Sequence, residues 1–312
     1  MLAVASLIAP THATFAQSVT PPPVTPPPVA PPAAAQNPSP MTESTRPHER
    51  LVQRPLKGTM RSFAGPAGKP VELFVPDDGR SRDAFDLVVH FHGAGWLPAL
   101  AASSYGRRTV AATLNLGSGS GVYGRAFTDP SVFDSLTASI TREVAAVTGR
   151  RARIDHLTLV GFSAGHGAIR AILREPRHFA AVSAILLLDG MHTSYVPDGT
   201  VLANGGAIDT MNLVAFANFA RAATHGEKRF LVTHSEIFPG TFASTTETAD
   251  WLLHALGIPR VPVLRWGPRG LQQLSEAHVG RFELRGYAGN SAPDHIDQFH
   301  ALPELLERLL KH

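Results

Sequence analysis

One short segment constrains the fold of this chain more than any other. The apolar run at residues 154–160 is followed directly by Gly161-Phe162-Ser163-Ala164-Gly165, which places a serine between two glycines. A serine at the tip of a sharp strand-to-helix turn has strained backbone geometry, and side chains two positions before and after it would collide with the neighbouring elements. Glycine removes both collisions. Helix-forming residues follow, so the sequence predicts a strand, a sharp turn and a helix.

The chain from about residue 47 onward alternates strand and helix patterns. Strands are predicted at 70–75, 85–91, 108–116, 154–160, 182–188, 228–233 and 281–287. Helices are predicted at 131–147, 164–174, 209–224, 245–256 and 302–310. This alternation, with several continuous Val, Leu and Ile runs, predicts an α/β fold with a mostly parallel central sheet and helices on both faces. Residues 190–208 are expected to form a small lid.

Composition is typical of one large domain. The chain has 312 residues, of which 44% are hydrophobic, enough for a substantial core. Charged residues make up only 17%, the formal net charge is +3, and Lys and Arg are scattered rather than arranged in a stripe. These values do not favour nucleic acid as a partner.

The N-terminal region is predicted to lie outside the domain. Residues 1–10 are apolar but too short to span a bilayer, and a small-residue cleavage pattern ends at Ala16, so residues 1–16 are interpreted as a signal peptide. The Pro- and Ala-rich residues 17–45 are expected to be a disordered linker before the domain at 46–312. The protein is thus expected to be secreted or periplasmic. The linker either associates with the cell envelope or is a simple disordered tail.

A serine hydroxyl between such glycines needs partners before it can act as a nucleophile. It requires a base, an acid that orients the base, and donors for the oxyanion that forms. The backbone N–H of Ala164 is the first predicted donor. The segment His92-Gly93-Ala94-Gly95 follows the strand at 85–91, so the second donor is predicted to be Gly93 or Ala94.

The base is predicted to be a late histidine. His295 lies in a polar segment after the strand at 281–287, where a loop is expected to turn the imidazole towards Ser163. His300, expected at the head of the last helix, is the rival candidate. His166, three residues after the serine, is expected to line the helix or the pocket.

Two carboxylates are candidates for the orienting acid. Asp189 ends the run Ile185-Leu186-Leu187-Leu188, and a carboxylate there is costly unless it has a partner. Glu236 follows the next predicted strand and suits the usual chain order better. We favour Asp189, whose alternative role is a turn or helix cap, and keep Glu236 as the alternative acid.

Three other segments contain residue types that could bind a ligand. His90 and His92 are two apart on a strand, a spacing used by metal ligands, but no cysteine exists and no Asp-His pair follows, so no metal is expected and His90 is assigned to the core. The glycine-rich segment 115–123 does not match nucleotide-binding spacing, so it is expected to form pocket wall and no cofactor is predicted. Residues 242–248 are expected to start a helix.

The HGAG segment at 92–95, the GFSAG segment at 161–165 and the late histidine together resemble the α/β-hydrolase superfamily over residues 71–310. The resemblance implies acyl transfer to water through an acyl-serine intermediate, with Ser163 as nucleophile and His295 as base and then acid. A carboxylic ester on a small molecule or a polysaccharide is the expected substrate. Two alternatives remain: a serine peptidase or amidase on the same scaffold, and a non-catalytic envelope-tethered binding module.

Overall fold

The computed structural model describes residues 47–77, 83–106 and 108–311. The predicted signal peptide and linker, residues 1–16 and 17–45, lie outside these residues. Within them the strands, in chain order, are β1 (Gly58–Ala64), β2 (Pro70–Pro76), β3 (Ala84–Phe91), β4 (Thr109–Leu114), β5 (Arg153–Phe162), β6 (Val182–Leu188), β7 (Tyr195–Val196), β8 (Ala207–Ile208), β9 (Arg229–His234), β10 (Val261–Trp266), β11 (Gln272–Val279) and β12 (Phe282–Tyr287).

The α-helices of the same residues are α1 (Trp96–Tyr105), α2 (Ser120–Ala126), α3 (Pro130–Thr148), α4 (His166–Leu173), α5 (Pro176–Ala181), α6 (Val214–Thr224), α7 (Thr245–Leu256), α8 (Ala292–His300) and α9 (Leu302–Lys311). Helix α7 has the bounds that its sequence predicts, because Ser244 and Glu247 form a capping box at its start. Among these helices, none has the length and apolar character needed to cross a membrane.

The main sheet of the described residues has ten strands in the order β1-β2-β4-β3-β5-β6-β9-β12-β11-β10. The six central strands, β4 to β12 in this order, pair in parallel, and an antiparallel pair closes each edge. The predicted α/β class with a mostly parallel central sheet is confirmed. Phe91 pairs with Gly161, and Phe162 pairs with Leu188, so the carboxyl ends of β3, β5 and β6 lie at one edge of the sheet. The loops that follow these strands therefore place their side chains close together.

Helices cover both faces of the sheet. Alternate residues of the central strands enter two separate apolar clusters, as the period of a strand requires. Leu159 of β5 packs in the cluster that contains α3, α4, α6 and α7 residues, whereas its neighbour Val160 packs with α1 and α9. The continuous apolar runs seen in the sequence therefore reflect strands that are buried on both sides.

Several elements were not predicted. The edge strands β1, β10 and β11 lack Val and Ile runs, and β10 is mostly exposed. Strands β7 and β8 pair as a small two-stranded sheet within residues 190–208, and the lid assigned to this segment stays a prediction. Helix α8 replaces the loop that was expected around His295. Its signals were present: Ser291 and Asp294 form a capping box, with a proline in the first turn.

Candidate active site

Ser163 lies at the junction of β5 and α4, in the short 3-10 turn Ser163–Gly165, which we call the elbow. Its φ is +49°, a left-handed value that is uncommon for a residue with a side chain. A Cβ at Gly165 would lie 2.1 Å from the carbonyl oxygen of Phe91, and one at Gly161 would lie 3.0 Å from Ile169 Cδ1. Gly165 is therefore required by the close approach of this turn to β3, Gly161 leaves little room between β5 and α4, and the turn presents the serine at the sheet edge.

Asp189 follows β6 directly and is also in a left-handed conformation, with φ of +44°. Its side chain is buried and its two oxygens accept four hydrogen bonds. Oδ1 accepts from Ser235 N at 2.9 Å and from Thr245 Oγ1 at 2.6 Å. Oδ2 accepts from Ser235 Oγ at 2.7 Å and from His295 Nδ1 at 2.7 Å. The carboxylate thus has the partners that its burial demands.

These contacts set the charge of Asp189. Burial alone would raise the pKa of the carboxyl, but the hydrogen bond and charge of His295, together with the Thr245 and Ser235 hydroxyls, hold its pKa below the usual range. The group is ionised at neutral pH. An ionised carboxylate at this position stabilises a protonated imidazole on His295.

His295 is held by the first turns of α8 rather than by a mobile loop, which corrects the sequence-based expectation. Its ring lies against Phe162, with 4.6 Å between ring centroids, and its side chain is 24% exposed. Because Nδ1 donates to Asp189, Nε2 is the ring nitrogen left for a second partner. A helix fixes the imidazole more firmly than a loop would.

The structure brings Ser163 next to the Asp189 turn through the backbone. A Cβ at Gly190 would lie 2.7 Å from both the N and the O of Ser163, so the two turns are in direct contact. Within the described residues, no hydrogen bond joins Ser163 Oγ to His295. Catalytic hydrogen bonds are often long in unliganded enzymes and tighten only with substrate.

The rival acid and base are placed differently. The Glu236 side chain is 45% exposed, and its Oε1 lies 3.9 Å from Nδ1 of His234. It is therefore the neighbour of His234 and does not orient His295. His300 is the last residue of α8 instead of the head of the last helix, and its Nδ1 accepts a hydrogen bond from the Leu51 N–H. The acid–imidazole contact that the sequence predicts is therefore found at Asp189 and His295.

The loop after β3 is hydrogen-bonded to the side chain of Asn115. The N–H of Gly93 donates to Asn115 Oδ1 at 2.8 Å, and Asn115 Nδ2 donates to the Gly93 carbonyl at 2.7 Å. The Gly93 N–H is thus already occupied, which leaves Ala94 as the candidate oxyanion donor from this loop. Ala164 is the second residue of its helical turn, where N–H groups lack a partner within the helix.

A cavity of about 630 Å³ opens beside the serine. Its wall includes Ser163 and Ala164, residues 118–121 of the glycine-rich segment, and Arg170. The assignment of that segment to a pocket wall is confirmed. The far wall is built from the loop after β6 and from Phe242.

Three histidines line this cavity. His166 Nδ1 donates a hydrogen bond to the Ser163 carbonyl at 2.9 Å. Burial and, to a smaller extent, the nearby charge of His192 lower the pKa of His166 to about 3, so this imidazole is neutral. His192 packs against Phe242, with 5.0 Å between ring centroids, and His92 hydrogen-bonds Tyr123. The expectation that His166 lines the pocket is confirmed.

Sequence reasoning missed several residues around this cavity. They are Arg170, His192, and the residues that support Asp189 or the β3 loop: Asn115, Ser235 and Thr245. A lone serine, threonine or asparagine outside a motif carries no sequence signal of the partner that it will contact. His192 lies in the loop after β6 and belongs to no motif, so the sequence gives no signal of its role either.

His90 belongs to the core, as predicted. Its ring stacks on Phe299 at 5.2 Å, its Nε2 donates to the His92 carbonyl at 2.6 Å, and burial lowers its pKa to about 3. In the described part of the chain, two other clusters each contain three side chains that could bind a metal ion. In the more buried cluster, the Asp297 carboxylate already accepts hydrogen bonds from His48 and Arg50.

Comparisons with known proteins support the fold. No family model and no curated protein matches the chain. Among solved structures, the enterobactin esterase FES from Shigella flexneri is 12% identical with a TM-score of 0.50, and the match covers 83% of this chain and 61% of that one. Est1E from Butyrivibrio proteoclasticus is 9% identical, with a TM-score of 0.43, covering 82% of this chain and 100% of that chain.

The siderophore hydrolase EstB from Aspergillus nidulans is 12% identical, with a TM-score of 0.43, and the match covers 81% of this chain and 96% of that chain. Identities this low show the fold alone. The chain has the α/β-hydrolase fold, and the resemblance inferred from the elbow and the late histidine is confirmed at that level.

Proposed function

We propose that this protein is a serine hydrolase that cleaves carboxylic esters through an acyl-serine intermediate. The observation that carries the proposal is the 2.7 Å hydrogen bond from His295 Nδ1 to the buried Asp189 carboxylate, directly beside the strained turn of Ser163. An ionised acid, an oriented imidazole and an elbow serine are the parts that activate a hydroxyl nucleophile.

Each group has a defined role in this reaction. Ser163 Oγ attacks the ester carbonyl carbon while His295 Nε2 takes its proton, and Asp189 stabilises the imidazolium. The N–H groups of Ala164 and Ala94 donate to the oxyanion. The C–O bond then breaks and the alcohol leaves with the proton from His295. Water repeats the sequence on the acyl-serine, which releases the carboxylic acid and restores the serine.

A solved esterase structure supports the choice of an ester over an amide. It is the match with a TM-score of 0.50. The triad geometry itself serves both ester and amide hydrolysis. We extend the proposal to esters of small molecules or polysaccharides outside the cytoplasm, as expected for an exported chain.

The test is covalent labelling combined with a substrate screen. A fluorophosphonate should label the wild-type protein and the control Ser135→Ala, whose serine is exposed on α3, but not Ser163→Ala. Chromogenic esters should be hydrolysed, with a loss of several powers of ten in Ser163→Ala. An unlabelled wild-type protein would refute the proposal, and faster hydrolysis of matched amides would assign a peptidase or amidase.

A further inference from the structure

The cavity beside Ser163 is lined by a cation and by no carboxylate of the described residues. The residues that line it in the described part of the chain include histidines, serines and an asparagine, but no aspartate or glutamate. Arg170 is the lining residue with a permanent positive charge. A cleft lined by one sign of charge concentrates ligands of the opposite sign.

Arg170 lacks a close acidic partner. Among the described residues, no carboxylate lies within 4.0 Å of its guanidinium, although Asp209 acts on it from a greater distance. The Asp209 carboxylate accepts hydrogen bonds from Met211 N and Asn212 Nδ2 instead. Burial and the nearby charge of Arg174 lower the pKa of Arg170, as is typical of a partly buried cation with incomplete compensation.

The position of Arg170 suits contact with a substrate. It follows His166 by four residues on α4, so the two side chains share one face of the helix, and both line the cavity. Arg170 is seven positions after Ser163, an interval of about 10 Å along a helix axis. Arg170 Nη2 would lie 3.9 Å from a Cβ at Gly124 of α2, three residues after the wall segment 118–121, so the guanidinium lies beside the cavity wall. The cation is therefore within reach of a group a few bonds from the scissile carbonyl.

We propose that Arg170 selects esters that carry a carboxylate in their acyl or alcohol part. This inference rests on the proposed function, because it names the substrate class of the same site. A guanidinium and a carboxylate form charge-assisted, often bidentate hydrogen bonds. The alternative is a structural role, since a cation in the last turn of α4 also stabilises the carboxyl end of the helix.

Two matched pairs of esters test the selectivity. Mono-4-nitrophenyl glutarate and 4-nitrophenyl pentanoate differ by a carboxylate in the acyl part. 4-Acetoxybenzoate and 4-methylphenyl acetate differ in the alcohol part. For each pair the measured quantity is the ratio of kcat/KM for the anionic ester to that for the neutral one. At least one ratio should exceed one in the wild-type protein, and it should decrease with added salt.

Arg170→Gln should lower that ratio about 10- to 100-fold, mainly through KM, as expected for a lost hydrogen bond to a charged group. The matched control is Arg174→Gln, which removes the same charge from the residue directly after α4, at an exposed position outside the cavity wall. If Arg170 were purely structural, its substitution would lower kcat/KM equally for both esters of a pair. Unchanged ratios in Arg170→Gln, or an equal decrease in Arg174→Gln, would overturn the proposal.

A binding measurement separates this proposal from the hydrolase proposal. Glutarate and 4-hydroxybenzoate, the products of the anionic esters, are titrated calorimetrically into Ser163→Ala with and without Arg170→Gln. At least one product should bind tenfold or more weakly without Arg170, and equal affinities for both would overturn the anion site. Ester hydrolysis that survives in Ser163→Ala, or no hydrolysis of any ester, would refute the proposed serine ester hydrolase. The binding result would still decide the role of Arg170.

Discussion

Asp189→Asn is expected to inactivate the protein by forcing the wrong tautomer on His295. Oδ1 accepts from the backbone N–H of Ser235, a donor that cannot turn around, so the amide oxygen must take the Oδ1 position. The amide NH2 then occupies the place of Oδ2 and faces His295 Nδ1 at a distance of 2.7 Å in the wild-type protein. His295 must accept there, which puts its proton on Nε2 and removes the base from Ser163.

The expected loss follows from this change of tautomer. A triad that loses its orienting carboxylate to an amide loses about 10⁴ in rate, which equals about 5.5 kcal/mol of transition-state stabilisation. The Ser235 hydroxyl can rotate to accept from the new amide, so the fold should tolerate the substitution. Single-turnover acylation by an activated 4-nitrophenyl ester measures the loss directly, after thermal unfolding has confirmed folding.

Glu236→Gln is the matched control. Its side chain is 45% exposed and lies near His234 instead of His295, so acylation should stay within about tenfold of wild type. The reverse ranking would move the acid to Glu236. Losses below about tenfold in both variants would refute the orienting role of either carboxylate.

Three further predictions concern the supports of the site. Asn115→Ala should lower kcat about tenfold, because Gly93 loses both hydrogen bonds that order the β3 loop, and steady-state kinetics tests it. Gly165→Ala should destabilise the fold by about 3 kcal/mol in urea unfolding, since its Cβ would strike the Phe91 carbonyl, and wild-type stability would contradict the elbow geometry. Burial lowers the pKa of His90 to about 3, so between about pH 6.5 and pH 3 only the unfolded chain binds a proton at this imidazole. The neutral His90 therefore makes its whole contribution to the free energy of unfolding above about pH 6.5, and this contribution falls by up to about 1.4 kcal/mol for each pH unit of acidification. His90→Gln should reduce the slope of the unfolding free energy against pH, measured by urea unfolding between pH 4 and 6.

The local elements of this protein are largely determined by the sequence. Continuous apolar runs mark the central strands because those strands are buried on both faces. The serine between two glycines marks the elbow because a Cβ at Gly165 would strike β3 and one at Gly161 would crowd α4. Asp189 could be favoured from sequence for a similar local reason. A carboxylate that ends a buried strand must have a partner, and the structure supplies four donors.

The composition of the site was decided by the tertiary structure. His295 and Asp189 are 106 residues apart and meet because the strand order places β6, β9 and β12 side by side with their carboxyl ends at one edge. Arg170 faces the same cavity through the packing of α4 on that sheet. Periodicity and caps act over a few residues, so they predict where a strand or helix forms. They contain no information on which distant side chains share an edge, because that depends on the order in which the strands pair.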